Sequence, residues 1–368
     1  MLAMAPVALL GHPPAARAAD PLVIGQVAPF TGSQAVTGQA IHSGIELCID
    51  AANTHGGVHG RELKLVTRDD AQKPDETVRL TRELIAGDAP VAMLGTVGTD
   101  NLEALARDGV LEQAHVSMVG AVSGAASLAK AKDLYPVKAR YRDEIARLFS
   151  QISFLGVTQV ALLYQDDSLG RDVLAGADAA AKRYGVTLLV RSGYQRNTTA
   201  VAKAVAEIAK VRPQVVFLGA TTAAAIEFVK EYAAAKGTGT LYGMSIIDSE
   251  ALLKGLGPER SRGYAFSVVL PLATQTQVAV VREYLQLRQA SADAHLSARS
   301  IEGFIACKAL VKVLESTPDP TPIKVTAALA RAKAVDVGNY VLDFAAKEHG
   351  VSSYVDFAMF GADGKVVQ

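Results

Sequence analysis

The chain has 368 residues, half of them hydrophobic and a fifth charged. That is apolar material for two buried cores and too much for an intrinsically disordered chain. Its 37 basic side chains balance 37 acidic ones and no Lys/Arg run stands out, which argues against nucleic acid as a partner.

Residues 1–10 are almost wholly apolar and are followed by Gly11, Pro13, Pro14 and Ala16-Arg17-Ala18. An apolar run, a breaker and a small-x-small tripeptide describe a secretory signal peptide over residues 1–18, although no basic residue precedes Leu2. No later run of 18 apolar residues predicts a membrane span. Strands are expected at 22–28, 62–67, 91–94 and 116–120. Helices between them cover 34–53, 74–85 and 100–113. Pro74 opens the second of these, as proline does at a first helical position. After a crossover at 120–140 the rhythm resumes. Strands are predicted at 159–164, 187–190, 215–218, 241–244 and 263–269. Helices are predicted near 142–154, 169–184, 199–210, 223–235, 275–289, 297–314 and 322–332. Such alternation implies an α/β fold with parallel sheets covered by helices, here in two similar lobes with a cleft.

Only two cysteines are present, which excludes a disulfide-dense scaffold and a Cys-rich zinc module. Cys48 and Cys307 both lie in helical patterns among apolar neighbours, and buried free thiols are favoured over a disulfide between them. The histidines are scattered. Gly56-Gly57 keeps His55 and His59 off a shared helical face, so no metal site is expected there. Asp69-Asp70 before Pro74 reads as a structural turn ahead of a metal site. No Ser/His/Asp set, Cys-x-x-Cys or Gly-x-Gly-x-x-Gly after the first strand supports an enzyme.

Ligands of open parallel sheets sit at the carboxyl ends of strands. There the chain reads Gly95-Thr96-Val97-Gly98-Thr99-Asp100-Asn101 and Gly120-Ala121-Val122-Ser123-Gly124-Ala125. Glycines permit close approach, and hydroxyls beside free N–H groups at a helix start suit an anion. The absence of Lys after the glycines excludes a P-loop. Tyr164-Gln165-Asp166-Asp167-Ser168, Ala220-Thr221-Thr222 and Ser245-Ile246-Ile247-Asp248 end strands of the second half, and each also reads as an ordinary helix cap.

Residues 24–32 (Ile-Gly-Gln-Val-Ala-Pro-Phe-Thr-Gly), Asn53 with Gly56-Gly57-Val58-His59-Gly60, Asp69-Asp70 with Pro74, and the loop at 120–123 carry a resemblance. The chain from about Leu22 onward resembles the periplasmic solute-binding proteins of ABC importers, of the leucine/isoleucine/valine-binding type. The resemblance implies two Rossmann-like lobes joined by a three-crossover hinge. Lobe 1 would hold 19–120 and 248–330, and lobe 2 would hold 121–247 and 331–368. It implies a small-molecule carboxylate ligand, a permease and ATPase complex as partner, a periplasmic location, a monomer, and neither cofactor nor catalysis. Ligand contacts carry over to Thr96, Gly98, Thr99, Ala121, Val122, Ser123, Tyr141, Leu169, Thr221 and Ser245. Thr99 and Ser123 hydroxyls, with the N–H groups of Ala121 and Ser123, would hold the carboxylate. The family's two ammonium-binding acids fall near Tyr141 and Ser245, with Asp248 as a nearby substitute. The ligand is thus an amino acid, branched-chain or other, or an organic acid without an α-ammonium. In the latter case Tyr141 would stack on it and Arg140 would pair with a second acidic group. A ligand sensor that meets a membrane receptor is the remaining alternative.

Overall fold

The structure, a computed structural model, describes residues 20–368; the signal segment expected at 1–18 lies outside them. The first lobe begins with β1 (Leu22–Ala28), α1 (Ala35–Thr54), β2 (Leu63–Asp69), α2 (Pro74–Asp88) and β3 (Ala92–Leu94). It continues through α3 (Thr99–Asp108), α4 (Val110–Ala114), β4 (Met118–Val119) and β5 (Leu134–Tyr135). These strands form a parallel sheet in the order β2-β1-β3-β4-β5. β1 is buried at all but one position, as befits a branched strand with helices on both faces. The single helix expected over 100–113 is two helices, because Gly109 adopts a left-handed φ of 75° between α3 and α4.

The second lobe comprises α5 (Tyr141–Phe154), β6 (Gln159–Asp166), α6 (Ser168–Tyr184), β7 (Thr187–Gln195), α7 (Ala202–Val211) and β8 (Val215–Gly219). α8 (Thr222–Ala234), β9 (Thr240–Gly243), α9 (Ser249–Ser261) and β10 (Ala265–Val268) follow. α9 was absent from the sequence reading, and Gly257-Pro258 breaks its turn. The chain then returns to the first lobe as α10 (Ala279–Ala290), α11 (Ser300–Glu315), α12 (Pro322–Leu329) and the hairpin β11 (Val335–Asp336) and β12 (Val341–Leu342). It ends in β13 (Asp356–Phe360) and β14 (Val366–Val367). The second sheet runs β14-β13-β10-β9-β8-β6-β7, parallel except at β13, which is antiparallel to both its neighbours.

These pairings move the lobe boundaries. β5 pairs with β4, so residues 121–135 stay with the first sheet. β10 pairs with β9 and β13, so the second lobe runs to 268 and not to 247. Val337, Leu342, Phe344 and Val351 join the first-lobe core around Phe304 and Leu310, so only the last strands of 331–368 belong to lobe 2.

The chain crosses between lobes three times, near Val137, Val269 and Ser352, and one side chain touches all three. The buried Tyr340 hydroxyl lies 2.9 Å from Val137 O, 3.3 Å from Val269 O and 3.0 Å from Ser352 Oγ. A second apolar cluster runs across both lobes, joining Val27 and Leu102 to Ile145 and Phe217.

The two cysteines are not free thiols. Cys48 on α1 and Cys307 on α11 form a disulfide with their Cα atoms 6.1 Å apart. One turn earlier on each helix is a glycine. A Cβ on Gly44 would stand 1.9 Å from Ser300 O, and one on Gly303 would stand 2.1 Å from Ile41 O. The missing side chains let the helices approach until the next turn's sulfurs meet.

Candidate ligand-binding cleft

The cleft is lined from the first lobe by Gln34, Thr37, Gln72 and the segment Val97–Asp100, and from the second by Tyr141, Gln165, Asp167 and Leu169. Arg196, Thr221, Ile246 and Arg299 complete the wall. Two strand ends put the first-lobe segments there. β3 stops at Leu94, and Gly98, at φ 104°, turns the chain into α3. A Cβ on Gly98 would lie 2.1 Å from Gln72 Nε2, so this turn requires glycine. Asp69 and Asp70 build the neighbouring turn. Asp69 accepts from Phe30 N, Thr31 Oγ1 and Ala71 N. Asp70 accepts from Gln72 N, Thr77 Oγ1 and Asn101 Nδ2. Among the described residues no cluster of His, Cys, Asp and Glu is arranged for a metal ion.

Of the residues singled out from sequence, Gly98, Thr99, Val122, Tyr141, Leu169 and Thr221 line this cleft. Thr96 does not; its hydroxyl donates to Val27 O at 2.8 Å and pins the β3 end to β1. Ala121 and Ser123 line a separate cavity behind the loop, with Arg140 and Lys347. Their N–H groups are engaged within the chain, Ala121 N with Tyr135 O and Ser123 N with Ala121 O. The open donors are elsewhere. Among the described residues none accepts from the N–H of Thr99 or Asp100, the first two of α3, whose positive dipole end faces the cleft. The Thr99 hydroxyl lies 2.9 Å from Ser123 Oγ. Ser123 Oγ accepts from Ala125 N, and either hydroxyl of the pair can donate to the other; with Ser123 donating, Thr99 has a hydrogen to offer the cleft.

Other expectations are redirected. Arg140 binds Asp143 at 2.6 Å and donates to Glu348 O, away from the cleft. Asp248 caps α9, accepting from Ala251 N and Ser297 Oγ. Ser245 lines a neighbouring cavity of about 70 Å³ with Asp248, Phe266 and Arg299. Its amide and hydroxyl donate to Glu144, a buried carboxylate one turn beyond Tyr141. Burial raises the Glu144 carboxyl above its ordinary value, against the bonds from Ser245 and Ser267.

Two arginines that the sequence reading passed over carry the charge of the cleft. Arg196 bridges the lobes, with Nε 2.9 Å from Asp100 and 3.5 Å from Asp167, and Nη2 on Gln72 O. Ser168 adds a bond to Glu103 across the same mouth. β7 runs to Gln195, five residues beyond the strand expected at 187–190, and this extension puts Arg196 at a strand end. Arg299 precedes α11 and is 7% exposed. Its Nη1 donates to Ser245 O at 2.9 Å and pairs with Glu302 at 3.0 Å. Glu302 also pairs with Lys138 at 3.0 Å, both 1% exposed. Burial would raise the Glu302 carboxyl, but the charges of Arg299 and Lys138 outweigh it and hold the group below its ordinary value.

The family described as "Periplasmic binding protein" matches residues 21–365. A substrate-binding periplasmic protein from Ralstonia solanacearum shares the fold at TM-score 0.91 and 37% identity, over 94% of this chain and 99% of that one. A possible leucine/isoleucine/valine-binding protein from Rhodopirellula baltica is 25% identical at TM-score 0.88, over 95% and 97% of the two chains. A curated relative, Leu/Ile/Val-binding protein homolog 7 from Brucella suis, is 24% identical over 59% of this chain and 56% of its own length. The chain thus matches about half the length of the curated relatives.

Proposed function

Because the chain belongs to the periplasmic binding protein family, we propose that it captures a small carboxylate-bearing solute between its lobes and delivers it to the permease and ATPase of an ABC importer. The observation that carries this reading is the cleft itself. Both lobes line it, an open helix N-terminus and the Thr99 hydroxyl face into it, and Arg196 ties its two walls together. Family membership supports a periplasmic location. The Cys48–Cys307 disulfide agrees with it, since such bonds persist in oxidising compartments. The substrate-binding periplasmic protein from Ralstonia solanacearum, 37% identical, supports the same role. Val97, Val122, Leu169 and Ile246 give the cleft apolar walls suited to a hydrocarbon body behind the charged end.

Native mass spectrometry of the purified protein should show a retained small acid, and calorimetry with that acid should give one site per chain. Thr99→Val should weaken binding about tenfold, because a hydrogen bond to a charged group is worth ~1.5–3 kcal/mol. Wild-type affinity in Thr99→Val would remove the carboxylate from this helix end.

A further inference from the structure

A guanidinium has five N–H groups, two on each terminal nitrogen and one on Nε. In Arg299, Nη1 donates to Ser245 O and lies 3.0 Å from a Glu302 carboxylate oxygen. Nε is buried and without a partner, and no acceptor among the described residues bonds Nη2. Nε and Nη2 form one edge of the planar group, and their parallel N–H bonds match the two oxygens of a carboxylate. An unused charged donor in a buried setting costs stability unless something fills it. Arg299 lines the cleft, at the point where it meets the cavity below Ser245, and its charge acts on the Tyr141 hydroxyl beside Ser123.

The acids nearby are in the opposite condition. Asp100 and Asp167 are both held by Arg196, and Asp167 also accepts from Gly170 N and Gln165 Nε2. Glu144 accepts from Ser245 and Ser267, and Glu302 is ion-paired with Lys138 and Arg299; neither acid is among the cleft-lining residues. The carboxylates that line this cleft, Asp100 and Asp167, are thus already held and give an α-ammonium no free partner, whereas the Nε/Nη2 edge of Arg299 has no acceptor among the described residues.

We propose that the Nε/Nη2 edge of Arg299 holds the carboxylate of the bound solute, sharing it with the Thr99 helix end in the same cleft, and selects acids that carry no α-ammonium. The proposal rests on the cleft being the solute site, and it adds the residue and the ligand class. A des-amino acid presents its charge to Arg299 with nothing to neutralise beside it. The matching amino acid brings a second charge that must stay unpaired or displace Arg196 from Asp100 and Asp167.

The test uses the full mature chain and paired probes: leucine with 4-methylpentanoate and 4-methylpentanamide, and phenylalanine with 3-phenylpropanoate and 3-phenylpropanamide. Calorimetry should show the acid binding at least tenfold more tightly than its amino acid, and the amide at least tenfold more weakly than the acid. Arg299→Lys keeps the charge opposite Glu302 but loses the bidentate edge, and should weaken acid binding tenfold or more while the ligand-free melting temperature stays within a few degrees. Tighter binding of leucine or phenylalanine than of the paired acid would overturn the proposal, as would unchanged acid affinity in Arg299→Lys. Either result leaves the cleft as the solute site if Thr99→Val still weakens binding. Failure of every carboxylate probe to bind the wild-type chain would reject both readings. The comparison of acid with amide in the wild-type chain needs no variant, so it decides the matter even where Arg299→Lys does not fold.

Discussion

Glu302 is where single residues matter most to the stability of the molecule. Its carboxylate lies between Lys138 and Arg299, all three nearly inaccessible to water. Removing one partner of such a buried set leaves the others uncompensated, at a cost of about 3–5 kcal/mol. Glu302→Gln should therefore destabilise the protein by that order at pH 7 in chemical denaturation. The pH dependence has a definite sign. The folded-state carboxyl is held below its unfolded value, so its contribution is complete above about pH 4.3, the ordinary glutamate value, and is lost as pH falls through the depressed value. The gap between wild type and Glu302→Gln should consequently narrow in acid; a gap that stays constant down to pH 3 would deny the carboxylate this role.

Among the elements, α1 and α11 form a joined pair. Their disulfide closes a chain separation of 259 residues, and such cross-links are typically worth about 2–5 kcal/mol through restriction of the unfolded chain. Reduction, or Cys48→Ser with Cys307→Ser, should lower the denaturation midpoint accordingly, and alkylation of the unfolded oxidised chain should find no free thiol. The pairing was not readable from the cysteines alone, since burial among apolar neighbours suits a thiol as well as a disulfide. The sequence feature that accompanies the pairing is Gly44 and Gly303, each four residues ahead of a cysteine, where the two helices touch. Strand–helix alternation was readable because parallel strands buried on both faces form branched runs bounded by glycine. The lobe boundaries were not, because β10 and β13 join the second sheet through long-range pairing that leaves no local mark. The cleft residues divide in the same way. Thr99 opens a helix just after a strand, where the strand-end rule finds it, and Tyr141 is reached only through the family resemblance. Arg299 precedes α11, far in sequence from any strand end that it faces, and only tertiary packing brings it there.

For the whole molecule, the lobes are held together by side chains and not by either sheet. Arg196 reaches Asp100, Gln72 and Asn101 from the far lobe, and Ser168 reaches Glu103. Arg196→Ala should shift the ligand-free chain toward an open form, measured as a larger radius of gyration in small-angle scattering, with recompaction on adding ligand. An identical radius in variant and wild type would mean that the mouth contacts do not set the closure. The Tyr340 hydroxyl has a further consequence for that motion. It owns a single hydrogen, yet two carbonyls from different crossovers stand within its reach, while Ser352 can donate back to its oxygen. Turning one C–O bond passes the donation from one crossover to the other without parting any strand from its neighbour. The hydroxyl can therefore stay bonded to one crossover while another shifts, so that a rotation taken up by the backbone of the crossovers need not leave the buried phenol without a partner.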